Sequence, residues 1–323
     1  MSEVYTAYLI NEPPCRVIGP QIGPLFSKNG VVITIGLPHL NVEELSCRLF
    51  DEYGEKVLEK SCGPSHPKYR NYIFEFANLD PTHQYSYKFY NNNEQLDLGA
   101  GLTYDDCYFR APEFVEGDSF ILLSCNNPHE TKEGGGAGFA MWDKVLTTVQ
   151  KNANVKFLIQ GGDQVYNDAI EVTCLKRLEK NASDDVDWVI KSIIENYQHY
   201  YSPPSYRKVL ARIPSVAMLD DHDITDGWGG RPEGFIVGDK FKDNWLSYLQ
   251  HTYDAFKEYQ TSKNPLHRIS EGVESTFLDF GKNRLYLLDL RREKNIKQAE
   301  APLISEKHRE LGPVDKLFHP QTN

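Results

Sequence analysis

A chain of 323 residues has room for about two domains of ~100–200 residues each, and 40% hydrophobic with 25% charged residues is the composition of a globular protein. The formal net charge of −11 argues against a nucleic-acid-binding surface or affinity for an anionic membrane. It leaves a phosphate-bearing small molecule open, because bound metal ions reverse a local potential. The first residues, Met1-Ser2-Glu3-Val4-Tyr5, lack a basic segment followed by an apolar run. No window approaches the ~20 apolar residues of a membrane segment. The six cysteines (15, 47, 62, 107, 125 and 174) are scattered without CxxC pairs, which favours reduced thiols in a cytoplasmic protein over a disulfide framework.

Residues 1–115 read as short strands separated by turns. Val31 to Ile35 is β-branched, Ser46 to Phe50 alternates, Tyr72 to Phe76 precedes a turn at Asn78 to Thr82, and Tyr85 to Phe89 alternates aromatic with polar. Regular short strands with Gly, Pro and Asn between them predict an antiparallel β-sandwich. Leu79-Asp80-Pro81-Thr82-His83-Gln84-Tyr85 resembles the corner-tyrosine pattern of fibronectin type III domains, whose hydroxyl bonds back to the upstream backbone. An Ig-like or fibronectin III-like module without catalytic residues is expected here.

From Phe114 the pattern changes to strands alternating with helices. Ser119 to Ser124 has the continuous apolar core of a strand buried on both faces. Phe139 to Lys151 carries apolar residues at helical spacing. A strand over 155–160, a helix over roughly 184–200, a strand over 214–219 and a long helix near 239–260 follow. Two strands, 275–280 and 284–289, close the order. An α/β fold with a mostly parallel central sheet is predicted, its functional residues on loops after strand C-terminal ends.

Three of those loops carry metal-capable side chains. The first delivers Cys125, which alone reads as a small buried hydrophobe; the Gly134–Gly138 run after it reads as a flexible loop. The second is Gly161-Gly162-Asp163-Gln164-Val165-Tyr166-Asn167-Asp168. Its glycines allow a tight turn that brings Asp163 near a ligand, and a Tyr166 phenolate is a hard donor suited to ferric iron. The third, Asp220-Asp221-His222-Asp223, crowds charges beside a buried strand, an arrangement that repels and costs desolvation unless a cation relieves it. Asp221 is a candidate ligand and His222 a substrate contact or general acid.

Together these loops resemble the alkaline phosphatase D, or PhoD-like, metallophosphoesterases. The matching pieces are Ser124-Cys125, Gly162-Asp163-x-x-Tyr166, Asp220-Asp221-His222-Asp223 and Asp289-Leu290-Arg291. The resemblance implies a four-layer α/β/β/α metallophosphoesterase domain over 116–323, with a metal centre hydrolysing phosphoric esters by a metal-activated water. It implies Cys125, Asp163 and Tyr166 as ligands of ferric iron. Asp163 would bridge to a second divalent ion at Asp221 (calcium, or else zinc, manganese or magnesium), with His222 facing the substrate. Asp220 and Asp226 are implied as additional or supporting ligands, and Arg291 as a phosphate contact or a salt bridge. The later Gly-Asp-x-His motif of that branch has no counterpart after Asp289, so a C-terminally truncated domain is expected, either a fragment or a shortened relative. Two further readings stand beside hydrolysis: a non-catalytic binding module, and a cysteine-dependent hydrolase with His129 or His222 as base.

Overall fold

The computed structural model describes residues 15–25, 29–111, 113, 115–127, 140–178, 183–228, 242–265, 275–280 and 282–291. Two antiparallel sheets come first. One joins β1 (Ile18–Leu25), β2 (Gly30–Gly36) and β5 (Asn71–Phe76) in the order β1-β2-β5. The other runs β4-β3-β6-β7 from β3 (Leu45–Phe50), β4 (Lys56–Cys62), β6 (Gln84–Asn91) and β7 (Glu94–Gln95), with β8 (Tyr108–Arg110) also on β6. Their facing side chains, among them Ile33, Leu49, Phe74, Tyr87 and Phe89, form one buried cluster. Strand β3 alternates buried and half-buried residues because only one of its faces meets that cluster. Strands β1 and β2 are buried at every position, since the second half of the chain packs on their other face. The Tyr85 hydroxyl accepts the Asp80 N–H at 3.0 Å, the upstream bond expected of it.

The second half is built on a three-stranded parallel sheet of β9 (Ser119–Leu123), β10 (Val155–Gln160) and β11 (Ser215–Ala217), with β10 central. Among the described residues five α-helices accompany it: α1 (Ala140–Lys151), α2 (Asp168–Leu178), α3 (Ser183–Tyr200), α4 (Pro204–Leu210) and α5 (Lys242–Tyr259). Alternation along β10 decides what each side chain meets. Leu158 enters the helical core with Val145, Leu175, Ile193 and Phe256. Phe157 and Ile159 face the opposite way, against Leu278 and Leu287 of a hairpin, β12 (Thr276–Phe280) and β13 (Asn283–Leu287). On α3 the buried residues Val189, Ile190, Ile193, Ile194 and Tyr197 recur at three and four, a stripe in which each fully buried aliphatic contributes roughly 1.5–3 kcal/mol.

Two expectations are corrected. The strand from Ser119 is not buried on both faces: among the described residues β9 lies at the edge of its sheet and pairs with β10. Phe120 and Leu122 lie in register with Phe157 and Ile159, yet Leu122 stays 61% exposed. The closing strands do not extend the parallel sheet; β12 and β13 pair antiparallel with each other. Asn283 follows Phe280 too closely for the crossover of a dozen or more residues that parallel pairing needs. Helix α2, for which the sequence reading held no helix, fills the stretch after the second loop. His129, the 134–138 glycine run and the side chains of Phe241 and Trp245 lie outside the described residues.

The two halves are tied by buried polar contacts. Arg207 of α4, 1% exposed, donates to the carbonyls of Ala100, Leu98 and Gly19. The Tyr87 hydroxyl donates to Ala211 O at 2.8 Å, and Gln21 Nε2 to Tyr259 O at 2.7 Å. Gly23 has no Cβ because none fits; one would sit 1.8 Å from the Lys263 carbonyl oxygen. Among the described residues no helix is long and apolar enough to cross a membrane.

Candidate metal centre

The loops after β9, β10 and β11 converge because their strands are parallel neighbours. Backbone bonds stitch the first two together: Cys125 N to Gly162 O at 3.1 Å and Asn126 N to Asp163 O at 2.8 Å. The third attaches through Asn167 N to His222 O at 3.0 Å. Cys125 and Asp163 both sit in the left-handed region, at φ 59° and 58°, a strained conformation for a side chain-bearing residue that clusters at functional sites. Gly162, at φ 105°, adopts what no other residue tolerates there, since a Cβ would fall 2.4 Å from that of Asp220.

Of the residues singled out from the sequence, Asp163, Asp221 and His222 come together with one potential ligand atom each, all within 4.8 Å of one another. Asp163 is 5% exposed; one of its oxygens accepts the His222 N–H at 3.3 Å and the other lies 3.5 Å from Cys125 Sγ. The Tyr166 ring stacks on His222 with centroids 4.4 Å apart. Cys125 thus neighbours this trio through Asp163, and Tyr166 through His222.

The electrostatics are those of a crowded anionic pocket. Burial, then the neighbouring Asp220, pushes the Asp163 carboxyl above its ordinary range. Burial also raises the Cys125 thiol, with Asp163 adding to it, and raises the Tyr166 phenol beside Asp163 and Cys125. Each of the three resists ionising unless a positive charge is supplied, and their O and S donors suit one. A raised thiol is the opposite of what a cysteine nucleophile needs. Asp221 differs. Against the cost of its burial, the Gly227 N–H, the Arg291 guanidinium and His222 hold its carboxyl low.

Two supporting side chains were not assigned from the sequence. His222 Nδ1 lies 2.5 Å from Asp168 Oδ2, and the imidazole is raised from 6.5 to about 9, first by this bond. Asp168 opens α2 and reads in sequence as an ordinary first-turn carboxylate. Asp223 turns inward and is fully buried; burial pushes its carboxyl up to about 7, although Gln260 and backbone N–H groups around it favour the ionised form. Its spacing of three from Asp220 is that of a capping box, the one signal that marks it. Of the alternatives for Arg291, the salt bridge forms: its Nε pairs with Asp220 and its Nη2 with Asp221 at 2.7 Å. Asp226 is exposed, and its N–H donates to Asp168.

A parallel sheet thus gathers carboxylates, an imidazole, a thiol and a phenol at its strand ends. The PhoD-like phosphatase family model matches residues 120–315, and the chain belongs to that family. Its fold is similar to a solved structure of PhoD, with a TM-score of 0.58 at 15% identity over 87% of this chain and 53% of that one. It is also similar to the uncharacterized protein YGR266W of Saccharomyces cerevisiae, 25% identical over 162 residues, 41% of this chain and 23% of the relative. The chain thus spans about half of the PhoD structure and about a quarter of the yeast protein.

Proposed function

We propose that the protein is a metal-dependent phosphoric ester hydrolase of the alkaline phosphatase D type, acting on a small phosphomonoester or phosphodiester. The observation that carries this reading is the convergence of Asp163, Asp221 and His222 within 4.8 Å, with Cys125 against Asp163. In this reading residues 116–323 form the metallophosphoesterase domain, of α/β/β/α type, and 1–115 an Ig-like or fibronectin III-like module that supports it. Cys125, Asp163 and Tyr166 would hold ferric iron, and Asp163 with Asp221 a second divalent ion, calcium or another. Six unpaired cysteines support a reducing, cytoplasmic setting.

Cations held there would supply charge for the phosphoryl oxygens and would lower the pKa of a water. The chain's own residues do the rest. Asp163 sits between the thiol and the His222 N–H, one oxygen toward each. Asp168 engages His222 Nδ1, which leaves Nε2 to donate to a phosphoryl or leaving-group oxygen as a charged donor. Arg291 neutralises Asp220 and Asp221, which limits the repulsion among four neighbouring acids.

Metal analysis of the purified protein and hydrolysis of para-nitrophenyl phosphate and its bis-ester test the proposal. Bound metal, turnover abolished by chelation, and a loss of at least 100-fold in kcat with metal for Asp163→Asn are expected. A metal-free protein whose turnover is unchanged in Asp163→Asn would refute it, and metal binding without turnover would leave only a binding module.

A further inference from the structure

Asp223 is the residue of the Asp-Asp-His-Asp run that points away from the pocket, and it makes more bonds than any capping role requires. Its Oδ2 accepts the N–H groups of Asp163 at 2.8 Å and Asp220 at 3.2 Å. Its Oδ1 accepts those of Gln164 at 3.0 Å and Val165 at 3.2 Å, and Gln260 Nε2 at 2.9 Å. Only the Asp220 bond belongs to the local capping box. The other three backbone donors come from the loop after β10, and the amide from just beyond the end of α5.

We infer that Asp223 is the positioning residue of this site: its carboxylate sets the distance between the loop carrying Asp163 and the turn carrying Asp221 and His222. Three consecutive N–H groups converging on one buried carboxylate force residues 163–165 to curl around it. That curl holds Asp163 at its left-handed φ of 58°, a conformation its own sequence does not favour. The turn cannot drift from the loop, because Asp223 belongs to the same short helix as Asp221 and His222. Its own carbonyl takes a further bond from Asn167 Nδ2 at 2.6 Å. Gln260 is a brace from a third element, so the spacing of the donor atoms depends on the packing of α5 as well.

This inference rests on reading Asp163 and Asp221 as metal ligands with His222 facing the substrate, and the experiment separates the two claims. Asp223→Asn preserves volume but turns one acceptor oxygen into a donor facing N–H groups; Gln260→Leu removes the brace and leaves the carboxylate. Three measurements apply to wild type and both variants. They are amide hydrogen exchange at Asp163, Gln164 and Val165 in chelator-treated protein, Mn2+ affinity by calorimetry, and kcat and KM on bis-para-nitrophenyl phosphate. For Asp223→Asn, exchange at the three amides rises at least tenfold and Mn2+ affinity falls 10–100-fold, the range for residues that orient ligands. Its kcat falls with KM little changed, and excess Mn2+ restores part of kcat. Gln260→Leu moves each quantity the same way by a smaller factor. A folded Asp223→Asn with wild-type exchange and wild-type Mn2+ affinity overturns the inference. If Asp223→Asn does not fold, Gln260→Leu decides, and unchanged Mn2+ affinity there overturns it. If wild type binds no Mn2+ and turns over no ester, the metal reading fails, and exchange at the three amides alone then judges Asp223.

Discussion

Replacing Asp168 by Asn removes the charge that faces His222 and little else. The side chains are nearly isosteric, and the amide oxygen can still accept the Asp226 N–H that Asp168 Oδ1 receives. In the intact protein His222 is raised from 6.5 to about 9, first by the Asp168 bond, with the charges of Asp163 and Asp221 adding to it, so Asp168 accounts for part of the shift. A difference of that size corresponds to a ceiling of ~3 kcal/mol at 1.36 kcal/mol per pH unit. Both side chains keep roughly a quarter of their surface in water, 26% and 27%, so solvent screening reduces the contribution to about 1–2 kcal/mol. The sign follows from linkage. A histidine whose folded-state pKa is raised stabilises fully below pH 6.5, loses that stabilisation as pH climbs toward about 9, and contributes nothing above. Asp168→Asn is therefore less stable than wild type by about 1–2 kcal/mol at pH 6, and equal to it above roughly pH 9.5. The assay is urea unfolding of chelator-treated protein at both pH values, paired with an NMR titration of the His222 ring protons. A His222 that titrates in the variant within half a pH unit of wild type would show that something other than Asp168 holds the proton.

Gly162→Ala places a Cβ 2.4 Å from that of Asp220 at a φ of 105°; a loss of about 2–4 kcal/mol is expected. The urea midpoint reads it, and an unchanged midpoint with unchanged metal content would mean the loop moves freely. Arg207→Met leaves three carbonyls in the buried seam without their donor, which should cost about 3 kcal/mol or more. Thermal unfolding followed by circular dichroism checks this, and a shift of less than a few degrees would show that the seam re-satisfies itself.

Some of this molecule could be read directly from its residues. The β10 strand was legible because Val155 to Gln160 is a near-continuous apolar run between a turn and two glycines. Helix α3 was legible because its apolar stripe repeats at three and four. Strand β9 has the same local composition as β10, yet neighbours decide burial, and an edge position cannot be seen in five residues. Helix α2 stayed hidden because its inner face includes Glu171, 6% exposed and bonded to Thr225, which breaks the apolar period. At the site, Asp163, Asp221 and His222 announced themselves as charges at strand ends, where packing alone gives no reason for them. Asp168, Asp223 and Gln260 did not, because their meaning lies in what faces them across the fold, at separations of 54 and 37 residues.

The seam between the two halves has a consequence for anyone dissecting the molecule. Ile18 and Tyr69, from the first half, are built into the core that surrounds Leu158, and Ala211, from the second, lies in the core of the first. Lys263 is wholly inside, its Nζ donating to Gln260 O at 2.7 Å beneath β1, and Gln260 in turn braces Asp223. Cutting near residue 115 would uncover this lysine, the Tyr259 face and the carbonyls that Arg207 satisfies. The β-rich half therefore covers side chains and backbone groups of the other that would otherwise face water. A fragment beginning at residue 116 is expected to be less stable than the whole chain, and comparing the urea midpoints of the two checks it.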